Sequence, residues 1–169
     1  MMVSYKKIVN LTIYDILALI LVYYIPALAH VTPMPLYIIE PFRIIILISF
    51  LIIGNKNNSI LLSLTLPLFS FLISDHPVVL KMGLISIELV FNVVILDYFI
   101  RKKQSRYFSI FASIILSKIL YYFLKYLLIT SGLLSIPLLS TPIMVQIIIV
   151  VGLTASFGLF TNSNVCNND

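Results

Sequence analysis

The chain has 169 residues, of which 61% are hydrophobic and only 10% are charged. Its mean hydropathy of +1.13 excludes an ordinary soluble domain and predicts a polytopic α-helical membrane protein. The formal net charge is +5, but the basic residues lie in separate clusters rather than on one face of a soluble fold, which excludes a nucleic-acid surface. Cys166 is the only cysteine, so an internal disulfide and a cysteine metal cluster are excluded as well.

Six apolar segments follow one another, and we expect them to form a single transmembrane domain over residues 1–169. A crossing needs roughly 20 residues, so the length leaves no room for a soluble domain beside six helices. The first segment lacks a clean small-residue cleavage site, so we interpret it as a retained helix rather than a signal peptide. Pro26 predicts a kink or an early end of this helix. The six predicted helices are 8–29, 36–53, 60–73, 78–100, 107–130 and 141–160.

The second segment begins with a charged pair and ends in a polar turn. Glu40 and Arg43 are three residues apart, a spacing that lets them pair on a helix face and anchor the preceding loop. The sequence GNKNNS at 54–59 predicts a turn. The third segment is short and interrupted by Pro67, which predicts a tilted or kinked helix.

The fourth segment carries polar residues inside a long apolar run. Lys81, Glu88 and Asn92 are spaced seven and four residues apart, which places them on one side of a helix. Because a charge at mid-membrane depth costs at least a few kcal/mol, this side should face protein or a water-filled cavity. Glu88 is either a ligand contact or half of a structural ion pair with Lys118. Asn92 is either a hydrogen-bond link between helices or a ligand contact.

The fifth segment carries a polar and aromatic stripe. Lys118, Tyr121, Tyr122 and Lys125 recur at helical spacing, so they share one face. The lysines are candidates for binding an anionic group, and Lys125 is alternatively a residue that extends to the outer interface. The tyrosines are candidates for stacking on a planar ring, although interfacial and core tyrosines are common.

The sixth segment begins near Pro142, which is tolerated in a first helical turn. Gln146, one turn further on, is either a ligand contact or a link between helices. Gly152, Ala155 and Ser156 form a small-residue face that predicts close helix packing.

The distribution of basic residues predicts the orientation. Six crossings place both termini on one side, with seven basic residues on that side and only Arg43 and Lys81 on the other, which favours cytoplasmic termini. The polar residues of segments two, four, five and six then converge on a pocket that opens to the outside. The seven basic residues are Lys6, Lys7, Lys56, Arg101, Lys102, Lys103 and Arg106.

Taken together, these features resemble the substrate-binding S-components of energy-coupling factor (ECF) vitamin transporters. The resemblance covers nearly the whole chain and includes its size, six short helices, cytoplasmic ends and a proline-rich loop after the first helix. The turn Asp75-His76-Pro77, followed by Lys81, Glu88 and Asn92, also looks like sequences of this family. The family often carries alanines four apart on its first helix, whereas Ala18 is followed here by Val22, so the docking surface is unassigned.

The resemblance implies a binding subunit without ATPase activity or a cofactor of its own, in the plasma membrane of a prokaryote. It would capture a vitamin-like molecule from outside and dock on a membrane coupling subunit driven by two cytoplasmic ATPase subunits. In this family the ligand lies in the outer half, under the first loop and among helices four to six. The candidate substrate-binding residues are Glu88, Lys118, Gln146, Asn92, Lys125, Tyr122, Tyr121, Arg43, Glu40, His76 and Lys81.

Two other functions remain open at this point. An intramembrane enzyme would use His30, His76 and an acid such as Glu88, but the chain lacks a recognisable Ser-His or Cys-His arrangement, a metal-binding HExxH and a phosphate loop. We therefore expect no enzymatic activity. His76 is a weak metal ligand, because His30 has no nearby carboxylate in the sequence. The second alternative is a ligand-free membrane assembly protein.

Overall fold

The computed structural model describes residues 5–31, 36–74, 78–135, 137–139 and 141–166. The described residues are all-helical and contain no strand, which confirms the predicted fold class. A short 3-10 turn, Leu36–Ile39, precedes the second helix. The six helices are α1 (Tyr5–Val31), α2 (Pro41–Leu51), α3 (Lys56–Ser74), α4 (Val79–Arg101), α5 (Arg106–Thr130) and α6 (Ile143–Cys166).

Four helices are long and apolar enough to cross a membrane, within the residues that the structure describes. They contain the spans Ile8–Pro26, Lys56–Ile73, Val79–Arg101 and Arg106–Thr130. The apolar part of α6, Ile143–Leu159, is shorter. With 11 residues, α2 extends only about 17 Å, roughly half of the hydrocarbon thickness of a bilayer. Membrane-spanning character is therefore a property of the fold, and crossing by all six helices stays a prediction.

Local chemistry explains where the helix ends differ from the predicted ones. The helix α3 begins at Lys56 because the Asn55 side chain accepts a hydrogen bond from the backbone N–H of Asn58 at 3.2 Å, as an N-cap does. The predicted turn is therefore shorter than its polar sequence suggests. The predicted second helix is interrupted at Glu40, which has a left-handed backbone (φ 55°) and is followed by Pro41. The first helix continues past Pro26 to Val31, so the alternative of an early end is wrong.

The chain forms two compact units that meet in sequence between Met82 and Gly83, so the expectation of one domain stays a prediction. In the first unit, α3 packs against α1 and α2. Its core is aliphatic and includes Ala18 and Val22 of α1, which are only 4% and 1% exposed. Ala18 and Val22 therefore belong to the interior of the first unit.

In the second unit, α5 packs against α6, and its buried face includes a stripe of serines. Ser109, Ser113 and Ser117 are four residues apart and fully buried. The hydroxyls of Ser113 and Ser117 donate to the carbonyls of Ile110 and Ile114, both at 2.9 Å. These side chains are therefore small and already hydrogen-bonded within their own helix, which lets another surface pack closely over them.

The small-residue face predicted on α6 is not the face that packs. Gly152, Ala155 and Ser156 are exposed, whereas Leu153, Phe157 and Gly158 are buried. The Tyr107 ring of α5 lies so close to Gly158 that an added Cβ would be 2.2 Å from two ring carbons. The contact between Tyr107 and Gly158 thus requires a glycine in α6.

Substitution of the two α6 glycines tests this contact. We expect Gly158→Ala to destabilise the protein by about 1–3 kcal/mol, because the methyl group collides with the Tyr107 ring. Gly152→Ala is the matched control: no atom lies within 4 Å of its added Cβ, so the higher helix propensity of alanine should leave stability unchanged or raise it by up to about 1 kcal/mol. Thermal unfolding in detergent measures both. Equal effects, or a failure of Tyr107→Ala to rescue Gly158→Ala, would contradict the assignment.

Candidate functional site

Seven of the candidate residues lie in the second unit, on α4, α5 and α6. Glu40, Arg43 and Lys81 lie in the first unit, and His76 lies outside the described residues. The pocket predicted from segments two, four, five and six involves both units and stays a prediction. Within the second unit, the residues are Glu88, Asn92, Lys118, Tyr121, Tyr122, Lys125 and Gln146.

Glu88 and Asn92 lie one turn apart on the buried side of α4. Glu88 is 8% exposed and Asn92 is fully buried. The Asn92 Nδ2 donates to Ser113 Oγ of α5 at 3.3 Å, so Asn92 is the predicted link between helices. The Asn92 Oδ1, however, is buried and accepts no hydrogen bond from any described residue.

An acceptor of this kind is costly. An unsatisfied buried polar atom typically destabilises a protein by about 1–3 kcal/mol, and native proteins contain few of them. A donor that enters this region from outside the chain would recover that free energy. The Asn92 carbonyl oxygen, one turn from the buried Glu88, is the acceptor in the described part of the second unit that is best suited to a ligand with an N–H or O–H group.

Gln146 is occupied by bonds within the protein. Its Oε1 accepts from the Tyr122 hydroxyl of α5 at 2.8 Å. Its Nε2 donates to the carbonyl oxygen and to the Oγ1 of Thr141, at 3.1 and 2.7 Å. Both ends of the amide are engaged, so the structure supports the interpretation of Gln146 as a link between α5 and the start of α6.

Lys125 fixes the segment that connects α5 to α6. It is only 1% exposed, and its Nζ donates to the Leu138 carbonyl at 2.8 Å. The same ammonium group lies 5.9 Å from the centroid of the Tyr121 ring, which is packed edge-to-face on Tyr122. Lys125 is therefore buried inside the unit, and its alternative role at the outer interface stays a prediction. Lys118 is half-buried on the same helix.

A shallow, open depression adjoins this connection. It is lined by Leu139, Thr141, Pro142, Ile143 and Met144. Its lining is mostly apolar, with Thr141 as the one residue that also belongs to the Gln146 hydrogen-bond group. The depression offers apolar contact beside the α5–α6 connection but few polar groups to orient a ligand.

In the first unit, Glu40 and Arg43 form the predicted ion pair. The Arg43 Nε and Glu40 Oε2 are 2.6 Å apart, and the arginine side chain is only 2% exposed. Glu40 also supplies the carbonyl that accepts from the N–H groups of Arg43 and Ile44 at the start of α2. The pair therefore holds the entry into α2. Lys81 is half-buried at the start of α4.

A second polar cluster in the first unit was not predicted as a site. The Asn58 Nδ2 of α3 donates to Asp15 Oδ1 of α1 at 2.8 Å and to Ser49 Oγ of α2 at 3.3 Å. The Ser59 hydroxyl donates to the same Ser49 oxygen at 3.1 Å. Asp15 thus joins all three helices through Asn58. The sequence around Asn58 predicts a turn, so it does not indicate that Asn58 lies on a helix where it can donate to Asp15.

No protein-family model, curated protein or solved structure matches this chain. Among the described residues, no group of three or more His, Cys, Asp or Glu side chains is placed to hold a metal ion. The described residues include four helices that are long and apolar enough to cross a membrane.

The Glu40–Arg43 pair can be tested against an exposed pair of similar spacing. We expect Glu40→Gln to destabilise the protein by roughly 3 kcal/mol, because it leaves the buried Arg43 guanidinium without this carboxylate. Asp97→Asn, which breaks the Asp97–Arg101 pair whose arginine is 73% exposed, should cost no more than about 1 kcal/mol. Chemical unfolding in detergent gives both values. Comparable losses would show that burial of Arg43 does not set the strength of its pair.

The Asp15 cluster predicts different effects for neighbouring asparagines. Asn58→Ala should destabilise the protein by about 1–3 kcal/mol, since Asp15 and Ser49 both lose a donor. Asn57→Ala is the matched control, because Asn57 is exposed in the same helical turn and should change stability by less than about 0.5 kcal/mol. The midpoint of thermal unfolding distinguishes them. Equal unfolding midpoints for the two variants would show that the cluster has no structural role.

Proposed function

We propose that this protein is a membrane-embedded substrate-binding subunit that captures a small, vitamin-like metabolite from outside the cell for uptake by partner subunits. The observation that carries the proposal is the buried Asn92 Oδ1, which has no donor among the described residues and lies one turn from the buried Glu88. Ionisable and unsatisfied polar groups inside membrane helices are expensive, and they commonly mark substrate pathways.

The chemistry of the ligand follows from the Asn92 Oδ1, which has no donor among the described residues. The ligand would present an N–H or O–H donor to this oxygen and would lie beside Glu88, one turn away. Lys118 is the candidate partner for an anionic group on the same molecule, which makes a zwitterionic or anionic metabolite with a donor group the expected class. Gln146, Tyr122 and Lys125 would support the helices around the ligand rather than contact it, because their polar atoms are bonded within the unit.

The assignment as an S-component of an ECF-type transporter rests on the sequence resemblance. It implies a prokaryotic plasma membrane, cytoplasmic termini, a membrane coupling subunit and two cytoplasmic ATPases as partners. The four apolar helices are compatible with this role, and so is a buried Ala18, provided that another surface serves for docking. Co-purification of the tagged chain from its native membrane with an ATPase pair would support the assignment.

The second candidate is a ligand-free membrane assembly protein. It is favoured by the Tyr122–Gln146–Thr141 group, in which both ends of the Gln146 amide are bonded without a ligand. In that case the polar residues of the second unit would serve only to hold its helices together.

A thermal-shift screen of vitamins and their precursors, on protein purified in detergent, separates the two candidates. We expect at least one compound to raise the unfolding temperature by several degrees, because a ligand at about 100 times its Kd stabilises the folded state by roughly 2.7 kcal/mol. Asn92→Leu should abolish this shift. No stabilisation by any compound, with an intact helical fold, would favour the ligand-free candidate.

The design includes a check on folding. Asn92→Leu loses the bond to Ser113 but also removes the unsatisfied acceptor, so the stability of the ligand-free protein should change by less than about 1 kcal/mol. Ser109→Ala is the matched control: it removes a buried hydroxyl that donates to the Ser105 carbonyl at 3.0 Å and should retain the ligand-induced shift. Loss of the shift in both variants would indicate a general packing effect rather than a binding role for Asn92.

A further inference from the structure

The turn between α4 and α5 concentrates exposed positive charge. Residues 101–106, with sequence RKKQSR, are all exposed and include four cations and no acid. Lys103 has a left-handed backbone (φ 55°) between the two helices. The Ser105 side chain caps α5 by accepting from the Phe108 N–H at 3.3 Å. The turn is thus a defined structure that ends one helix and begins the next.

The individual cations have different surroundings. Arg101 pairs with Asp97, one turn earlier on α4, at 3.0 Å. The Lys102 ammonium lies over the face of the Tyr98 ring, 4.7 Å from its centroid, a contact that retains the positive charge. Lys102 and Lys103 are exposed, and no ion pair joins either to an acid within the described residues, so both present positive charge to the surroundings of this turn.

An aromatic cluster lies beside this turn, at the end of α4 and the start of α5. Tyr98, Phe99 and Phe108 pack edge-to-face, and Tyr98 and Phe108 are each about half exposed. Exposed aromatic rings near helix ends are typical of the membrane interface. From Phe108, α5 extends about 27 Å to the exposed Tyr126, close to the roughly 30 Å thickness of the hydrocarbon core.

We propose that Lys102 and Lys103 lie immediately outside one hydrocarbon boundary, next to rings at that boundary, and that the α4–α5 turn binds the phosphate groups of anionic phospholipids in the adjacent leaflet. Anionic phospholipid headgroups carry negative charge at the level of these rings. A soluble acidic protein would instead remain in the water beyond the membrane interface. This inference is independent of the proposed substrate.

The absence of tryptophan from the sequence makes a direct test possible. The reporter variant Phe108→Trp places a single indole at the turn, and Tyr126→Trp places one at the other end of α5. Each variant is reconstituted into vesicles that contain brominated phosphatidylglycerol or an equal fraction of brominated phosphatidylcholine. We expect brominated phosphatidylglycerol to quench Phe108→Trp about twofold more strongly, because headgroup attraction enriches it there. Tyr126→Trp should show equal quenching by the two lipids.

Charge removal and competition complete the test. The quenching ratio is the quenching by brominated phosphatidylglycerol divided by that by brominated phosphatidylcholine. In the Phe108→Trp background, the double substitution Lys102→Gln and Lys103→Gln should lower this ratio to one, and Lys56→Gln should leave it unchanged. High salt should lower the ratio, since ionic strength screens exposed charges. The proposal is overturned by a ratio of one in the parent reporter, or by a ratio that survives the double substitution. Loss of the ratio on addition of inorganic phosphate at constant ionic strength would instead indicate a site for soluble anions and would also overturn it.

Discussion

Lipid offers no hydrogen-bond partner, so every polar group within the membrane-spanning helices has to be satisfied by the chain itself or by something that binds to it. This constraint explains most of the internal contacts. Asn58 provides one amide nitrogen to both Asp15 and Ser49, so a single side chain links three helices. Gln146 uses both ends of its amide between α5 and the start of α6. In these cases the polar residue stabilises a particular arrangement of helices that apolar contacts alone would specify less strictly.

Close approach of helices depends on small residues that need no outside partner. The buried serines of α5 bond to their own backbone and therefore add no unsatisfied group to the interface. Gly158 serves the same purpose differently, because the Tyr107 ring occupies the volume of its missing side chain. The buried serines and the Tyr107–Gly158 contact both allow helices to approach closely. Such packing is needed because the hydrophobic effect supplies little driving force between membrane helices.

The sequence was sufficient for the fold class because long apolar runs and polar breaks determine where helices form. The sequence was not sufficient where a single side-chain contact determines a helix boundary or a packing face. Asn55 caps α3 and thereby places Asn58 in a helix, where it meets Asp15, but the polar sequence around it is equally typical of a turn. The spacing of Gly152 and Ser156 predicts a packing face, but the glycine that packs is Gly158. Only the position of the Tyr107 ring distinguishes the two glycines. Such choices depend on contacts between distant residues, which periodicity does not contain.

The comparison of Asn92 with Gln146 shows why burial alone is a poor guide to a binding site. Both are amides on helices of the same unit, and the sequence allows either to contact a ligand. Gln146 has acceptor and donor groups that are both engaged, so a ligand would have to break bonds to reach it. Asn92 uses only its donor side, and a ligand that donates to Oδ1 gains a hydrogen bond without breaking one. The difference in free energy therefore favours Asn92, with Glu88 beside it, as the centre at which a ligand would bind.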